Sequence, residues 1–243
     1  MTRVVGVIQA RMGSTRLPGK VLRPLAGRPM LAWLIDRLRG ARRLDAVVVA
    51  TSTRPENDAI AACARTLGVP CVRGSEEDLV SRLVLAAAVS EAAAIVRVTA
   101  DCPFVDPVVV DGLVATWRAR AADVDLVVNN DPPTFPHGLD AEVLPRETLG
   151  RLDAEIAEAY YREWCPLWWR ARRELYRILN VPFTRDLSHH RWTVDYAEDL
   201  AFAERVFGAL APTHGPGFLM HDVLRFVEAH PEVARLNGAR AHR

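Results

Sequence analysis

Apolar positions along this chain follow two alternating periods. Val4 to Ala10 is a continuous apolar run, as in a strand buried on both faces, and it opens into a loop of small and charged residues. Pro29 to Leu38 carries apolar residues at helical spacing, through Met30, Trp33, Leu34 and Leu38. Ala46 to Thr51 is a second β-branched run, and Glu56 to Leu67 a second helical stretch that Gly68 stops. The pattern then predicts a third strand over Val69 to Arg73, an alanine-rich helix over Glu76 to Glu91 and a fourth strand over Ala94 to Thr99, with Arg97 embedded in it. This alternation predicts an α/β fold, an open and mostly parallel Rossmann-like sheet with helices on both faces. Ligands of such sheets lie beyond the carboxyl ends of the strands, where the strand order switches direction.

The second half breaks the alternation. Asp125 to Asn129 reads as a strand, Asn130 to Gly138 as a proline-rich loop and Leu139 to Leu144 as a further extended run. Ile156 to Arg173 reads as one helical segment holding Tyr160, Tyr161, Trp164, Trp168 and Trp169. That much aromatic area fits either an arm, within about residues 130–185, that packs on a second subunit, or an ordinary core helix, because aromatics enrich interfaces and cores alike. Arg191 to Tyr196 is predicted as a strand ending on Asp195, and helices are expected near Ala197 to Leu210 and Leu219 to Ala229. No internal repeat or low-complexity tract is present.

Half of the 243 residues are hydrophobic, enough for a sizeable single core. With 31 Lys and Arg against 30 Asp and Glu, the net charge is +1, so no general attraction to nucleic acid or to an anionic membrane is implied. Any bound anion needs a local cluster of cations. Cys63, Cys71, Cys102 and Cys165 form no C-x-x-C pair and read as reduced thiols. The first strand-like segment is too short for a signal sequence, and no apolar stretch approaches the ~20 residues of a membrane span, so a soluble cytoplasmic protein is expected.

One residue stands apart. Lys20 is the only lysine beside 30 arginines, and it ends the loop Gln9-Ala10-Arg11-Met12-Gly13-Ser14-Thr15-Arg16-Leu17-Pro18-Gly19-Lys20. On a solvated surface arginine serves as well, but a crowded polyphosphate pocket distinguishes a compact ammonium from a broad guanidinium. The loop is not a Walker P-loop: five residues separate Gly13 from Gly19, and Val21 stands where the magnesium-binding Ser or Thr belongs. What remains is a thin backbone that exposes N–H groups, with Arg11, Arg16 and Lys20 as three cations suited to a triphosphate. Asp101 follows the fourth strand and is a candidate metal carboxylate, whereas Asp106 is better placed to cap the next helix. Asp195 ends the predicted later strand, followed by Glu198 and Asp199. Two carboxylates converging on one ion suit magnesium, which takes one or two protein carboxylates plus phosphate oxygens and water. Zinc, an α/β-hydrolase elbow and a G-x-G-x-x-G dinucleotide site find no matching motif.

The loop just quoted, together with Arg73-Gly74-Ser75-Glu76-Glu77-Asp78 and Arg97-Val98-Thr99-Ala100-Asp101-Cys102-Pro103, resembles the spore coat polysaccharide biosynthesis protein F family. That family is grouped with the cytidylyltransferases that make CMP-Kdo and CMP-sialic acid. The likeness covers most of residues 4–112 and returns at Gly138 to Val143 and Arg191 to Asp199. It implies a single nucleotidyltransferase domain over residues 1–243 of the nucleotide-diphospho-sugar transferase type, CTP as donor, Mg2+ as cofactor, pyrophosphate as product and a homodimer formed through an arm. By the same resemblance, Ala10, Arg11, Gly13, Ser14, Lys20, Arg73, Ser75, Thr99 and Ala100 are expected at the nucleotide. Arg11, Arg16, Lys20 and Asp101 are expected in catalysis, Asp101 and Asp195 at the metal, and His137, Asp140 and Glu142 at the acceptor.

Two segments depart from the family. His137 stands before Gly138 where an acid is usual, and Tyr161 to Trp169 replaces a segment that usually reads Arg-Glu-His-Val-Thr-Pro-Tyr. The acceptor and the dimer geometry are therefore not inherited. The expected activity is transfer of CMP from CTP to an acceptor hydroxyl of an acidic sugar. The competing readings are a nucleotidyltransferase for another NTP or for a phosphonate or hydroxy acid, and a catalytically silent nucleotide-binding scaffold.

Overall fold

A computed structural model describes residues 2–238; residue 1 and residues 239–243 lie outside the described part. Seven strands form one sheet. They are β1 (Val4–Gln9), β4 (Ala46–Ser52), β5 (Cys71–Gly74), β6 (Ala94–Thr99), β7 (Leu126–Val128), β8 (Glu142–Pro145) and β9 (Ile178–Asn180), in the order β5-β4-β1-β6-β8-β7-β9. A two-stranded ribbon, β2 (Pro24–Leu25) and β3 (Arg28–Pro29), stands apart from it. The β1, β4, β5 and β6 pairings are parallel, and β8 alone runs antiparallel, between β6 and β7. The chain steps from β1 to β4 and β5 on one side, then to β6 on the other. The direction therefore switches at the β1–β6 pair, the point beyond whose carboxyl ends ligands of such sheets bind.

The strand residues divide by parity. Val4 and Ile8 face the helices α1 (Met30–Arg39), α2 (Asp58–Thr66) and α4 (Pro107–Arg120), in a core with Leu34, Ile60, Leu113 and Trp117. Val5 and Val7 face the opposite layer, where α3 (Leu79–Val89), α5 (Arg146–Glu155) and α7 (Cys165–Ala171) contribute Leu83, Leu152, Trp168 and Trp169. Burial on both sides explains the unbroken apolar runs in the sequence. A third cluster lies around Phe104 and Trp192, where α8 (Ala197–His214) and α9 (Met220–Ala229) pack Phe202, Phe207 and Val223 against Met30 and Trp33. A short α10 (Pro231–Ala234) follows.

Several predicted boundaries move. The helix expected from Glu76 begins at Leu79, because the Asp78 side chain accepts the Ser81 N–H as its N-cap. The helix expected from Glu56 is α2 preceded by a 3-10 turn over Pro55–Asn57. The segment expected to be one aromatic helix is two, α6 (Ala159–Glu163) and α7, broken at Trp164 where Pro166 cannot continue the hydrogen-bond ladder. Its aromatics divide: Trp168 and Trp169 are core, whereas Tyr160 and Trp164 are 60% and 52% exposed. Arg191 to Tyr196 is not a strand. It is an extended segment with one isolated bridge, Arg191 to His137, and its hydrogen bonds go to loops instead of to a sheet neighbour. Among the described residues no helix is long and apolar enough to cross a membrane.

Candidate active site

The loop after β1 is shaped by its own backbone. Ala10 N–H donates to the Ala50 carbonyl and Ser14 N–H to the Met12 carbonyl, while Gly19 sits at φ +67, a conformation that costs other residues strain. Leu17 and Val21 are buried and seat the loop, and Lys20 lies in the 3-10 turn Lys20–Leu22 with only 8% of its surface exposed. Asn57, which sequence reasoning missed, ties the region together. Its Oδ1 accepts the Met12 N–H at 2.8 Å, and its Nδ2 donates to Ser52 Oγ at 2.7 Å and to Glu76 Oε2 at 3.0 Å. The phosphate-type loop, the end of β4 and the β5–α3 turn thus share one buried amide.

Lys20 Nζ lies 2.7 Å from Asp101 Oδ2 and 2.8 Å from Asp195 Oδ1. Arg16 reaches the same Asp195 oxygen at 2.5 Å. Burial alone would push the Asp195 carboxyl up, but the charges of Lys20 and Arg16 outweigh it and hold the group down to about 2. Burial likewise disfavours the Lys20 ammonium, and the two aspartates more than offset this and raise its pKa. Two carboxylates that already gather around one cation present hard oxygen donors to a common point, the donor set magnesium prefers, so these residues fit that ion.

Asp101 and Asp195 are held relative to each other by backbone. The Asp101 carbonyl accepts the Val194 N–H at 2.8 Å and the Thr193 hydroxyl at 3.3 Å. Arg191 and Asp199, also missed from sequence as site residues, brace Asp195 from behind. Arg191 donates to Asp195 Oδ2 at 3.1 Å, and Asp199 Oδ2 accepts the N–H groups of Asp195 and Tyr196, each at 3.0 Å. Asn237 Nδ2 completes the group, donating to Asp199 Oδ1 at 3.0 Å and to the Arg191 carbonyl at 2.9 Å. Asp199 was visible only as an acid in the first turn of a helix, and nothing near it in sequence points to Asn237.

The remaining expected residues fall into three places. Arg11 turns away from Arg16 and Lys20 and pairs with Glu163 at 2.6 Å. Arg73 donates from Nε to the Ser52 carbonyl at 2.9 Å and pairs with Asp58, and the Ser75 hydroxyl accepts the Glu77 N–H, so both belong to the rim beyond β4 and β5. Ser14 Oγ accepts the Leu17 N–H within the loop, Gly13 lies beside Glu76, and Thr99 and Ala100 stand at the end of β6, where the Ala100 N–H donates to the Gln9 carbonyl and the Thr99 hydroxyl meets Cys102 Sγ at 3.2 Å. As expected, Asp106 caps α4, through its Oδ1 to the Val108 and Val109 N–H groups.

Of the residues expected at the acceptor, His137 has its Nδ1 3.3 Å from Asp140 Oδ2, which also accepts the Gly138 N–H at 2.9 Å. That hydrogen bond to Asp140 raises the His137 pKa against the effect of burial. Glu142 stands deeper, 3% exposed, with Oε2 2.6 Å from Arg97 and Oε1 accepting from Asn130. Arg97 also donates to Gln9 Oε1 at 3.0 Å, so Glu142 works as an ionic strut between β8, β6 and the end of β1.

The chain is similar to several known proteins. The family model described as Cytidylyltransferase matches residues 5–182. The spore coat polysaccharide biosynthesis protein SpsF of Bacillus subtilis is 35% identical over 206 residues, 82% of this chain and 84% of its own length. A cytidylyltransferase structure from Leptospira borgpetersenii superposes with a TM-score of 0.92 at 28% identity, covering 100% of both chains. A CMP:2-keto-3-deoxy-manno-octonic acid synthetase complexed with CTP reaches a TM-score of 0.66 over 85% of this chain and 99% of its own; at 19% identity it shows likeness of fold.

Proposed function

The chain belongs to the cytidylyltransferase family, and on that footing we propose that it transfers CMP from CTP to a hydroxyl of an acidic sugar, releasing pyrophosphate. The observation that carries this reading is the Lys20–Asp101–Asp195 cluster at the carboxyl ends of β1 and β6. The loop from Ala10 to Lys20 receives the triphosphate, where its N–H groups, Arg16 and Lys20 neutralise charge that grows on the departing pyrophosphate. Arg73 and Ser75 stand on the rim where the base would lie, and the His137–Asp140 pair faces the acceptor with a histidine biased toward its cationic form, suited to an anionic substrate. When bound, magnesium held by Asp101 and Asp195 would supply positive charge at the phosphate oxygens and lower the pKa of the attacking hydroxyl. The hydroxyl attacks the α-phosphorus in line and gives its proton to solvent water, and the bond from the α-phosphorus to the pyrophosphate oxygen breaks as the new one forms. Arg191 and Asp199 keep Asp195 in place while this happens.

The relative named as a spore coat polysaccharide biosynthesis protein supports placing the product in polysaccharide assembly. Exposed Tyr160, Trp164 and Leu167 on α6 and α7 support a homodimer through this arm, and four free cysteines suit the cytoplasm.

A thermal-shift panel of CTP, UTP, ATP, GTP and dTTP, with and without magnesium, tests the reading. A nucleotide at ~100 times its dissociation constant adds ~2.7 kcal/mol, several degrees in a protein of this size. Selective, magnesium-dependent stabilisation by CTP is expected. Stabilisation by a different nucleotide would replace the donor, and none by any would leave the fold without the activity.

A further inference from the structure

We infer that Glu163 is an internal competitor of the triphosphate, holding Arg11 of the phosphate loop until a nucleotide takes it, and that this contact sets the affinity for the nucleotide. The inference rests on the nucleotide reading of the Ala10 to Lys20 loop. Of the three cations in that loop, Arg16 and Lys20 turn to Asp195, and Arg11 alone turns outward, to Glu163 Oε1 at 2.6 Å, with Glu76 Oε1 farther off at 3.8 Å. A loop that collects three cations for a polyphosphate thus has one of them engaged by a carboxylate of the chain itself.

The element carrying Glu163 is held by the packing of Tyr161 against Trp168 on one side and by ion pairs on the other. Helix α6 buries none of its residues. Its neighbour Arg162 donates to Asp78 Oδ2 at 2.6 Å and to Asp153 Oδ1 at 2.5 Å, and to the carbonyls of Asp153 and Ile156 at 3.0 Å each. Asp78 caps α3 three residues after Ser75. Helix α6 therefore spans from the base rim, through Arg162, to the phosphate loop, through Glu163.

The grip on Arg11 is incomplete. Glu163 Oε2 is buried without a hydrogen-bond partner among the described residues, and so is Nε of the fully buried Arg82. These two orphans belong to groups of opposite charge whose fields reach one another. Arg82 forms no ion pair with Glu163, but its positive field reaches that carboxylate, so release of Arg11 does not leave Glu163 without a nearby cation. A triphosphate brings several oxygens and a higher charge to Arg11 than one carboxylate can. It displaces Glu163, and the nucleotide's apparent dissociation constant is the intrinsic one divided by the fraction of molecules in which Arg11 is free of Glu163.

The test is titration calorimetry of CTP with magnesium into wild type, Glu163→Gln, Arg11→Met and the double variant. Glu163→Gln keeps the size of the side chain and lies on a helix with no buried residue, and Glu163→Ala serves as its second version. Both are expected to bind CTP several-fold more tightly than wild type, and Arg11→Met less tightly. In the Arg11→Met background, Glu163→Gln should change nothing, because the coupling has lost its other half. Wild-type binding of CTP combined with unchanged or weaker binding by both Glu163 variants overturns this inference alone. No binding by wild type overturns the nucleotide reading and takes the inference with it.

Discussion

Arg191 grips Asp199 with two nitrogens, Nε to Oδ1 at 2.9 Å and NH2 to Oδ2 at 3.0 Å, in a site where Asp199 has no exposed surface. The same NH2 reaches Asp195, so one guanidinium fixes both a buried strut and a site carboxylate. Lysine carries the charge but lacks the planar fork. Arg191→Lys is expected to fold with a lower thermal midpoint and to lose at least tenfold in kcat. Arg191→Met strands a buried carboxylate and should cost ~3–5 kcal/mol in unfolding free energy. Chemical denaturation and steady-state kinetics on the two variants check this, and an Arg191→Lys enzyme with full turnover would remove Arg191 from the positioning role.

Lys20 neutralises Asp101 and Asp195 in the free protein and, on the proposed function, triphosphate charge in the working one. Losing one such contact typically costs ~3 kcal/mol in the transition state, roughly two orders of magnitude in rate. Lys20→Met should therefore lose about that much turnover, and it should also be less stable, because two carboxylates are left facing each other. Magnesium without nucleotide should raise the midpoint of Lys20→Met more than that of wild type. Lys20→Arg is expected to fold and to remain slow, and wild-type rates in that variant would sink the argument from the lone lysine.

Acid should act through Asp195. Its carboxyl is depressed from the ordinary 3.8 to about 2, so its contribution to stability is full above 3.8 and disappears as pH falls toward 2. In wild type, unfolding free energy should drop across that window. Asp195→Asn has no carboxylate to protonate there and should show a shallower drop. Equal slopes in urea titrations of the two proteins would contradict the assignment.

Gly138 has φ +111, and a Cβ there would lie 2.6 Å from Thr193 N and 2.7 Å from Trp192 C. These atoms are the Trp192–Thr193 peptide group, which cannot yield as a side chain would. Gly138→Ala is expected to destabilise by more than ~2 kcal/mol, overpacking adding to the left-handed strain, with a clear fall in thermal midpoint. A variant as stable as wild type would mean that the segment from His137 is free to move away from Trp192.

Much of this was legible in the residues themselves. β6 matched its predicted bounds because both faces of that strand are covered, which leaves a continuous apolar run. Gly19 and Lys20 were visible because only a thin loop needs them together. The segment Arg191 to Tyr196 reads like a strand because Trp192, Thr193 and Val194 are buried, but they are buried by α8, α9 and Phe104 instead of by sheet neighbours. Local pattern reports burial and does not say what covers it. The bracing by Arg191, Asp199 and Asn237, and the pairing of Arg11 with Glu163, join residues up to 152 positions apart, and no period or spacing in a single sequence encodes such pairs.

The order of the parts along the chain separates two stages of construction. The sheet is complete once β9 has been made, at Asn180, and by then Lys20 and Asp101 are already on neighbouring loops. The second acid arrives fifteen residues later, and the amide that steadies its brace arrives only at Asn237. A nascent chain emerging from the ribosome can thus complete its sheet while Lys20 has Asp101 as its one carboxylate partner. Closure of the Lys20 cluster by Asp195 therefore depends on chain that follows the last strand of the sheet.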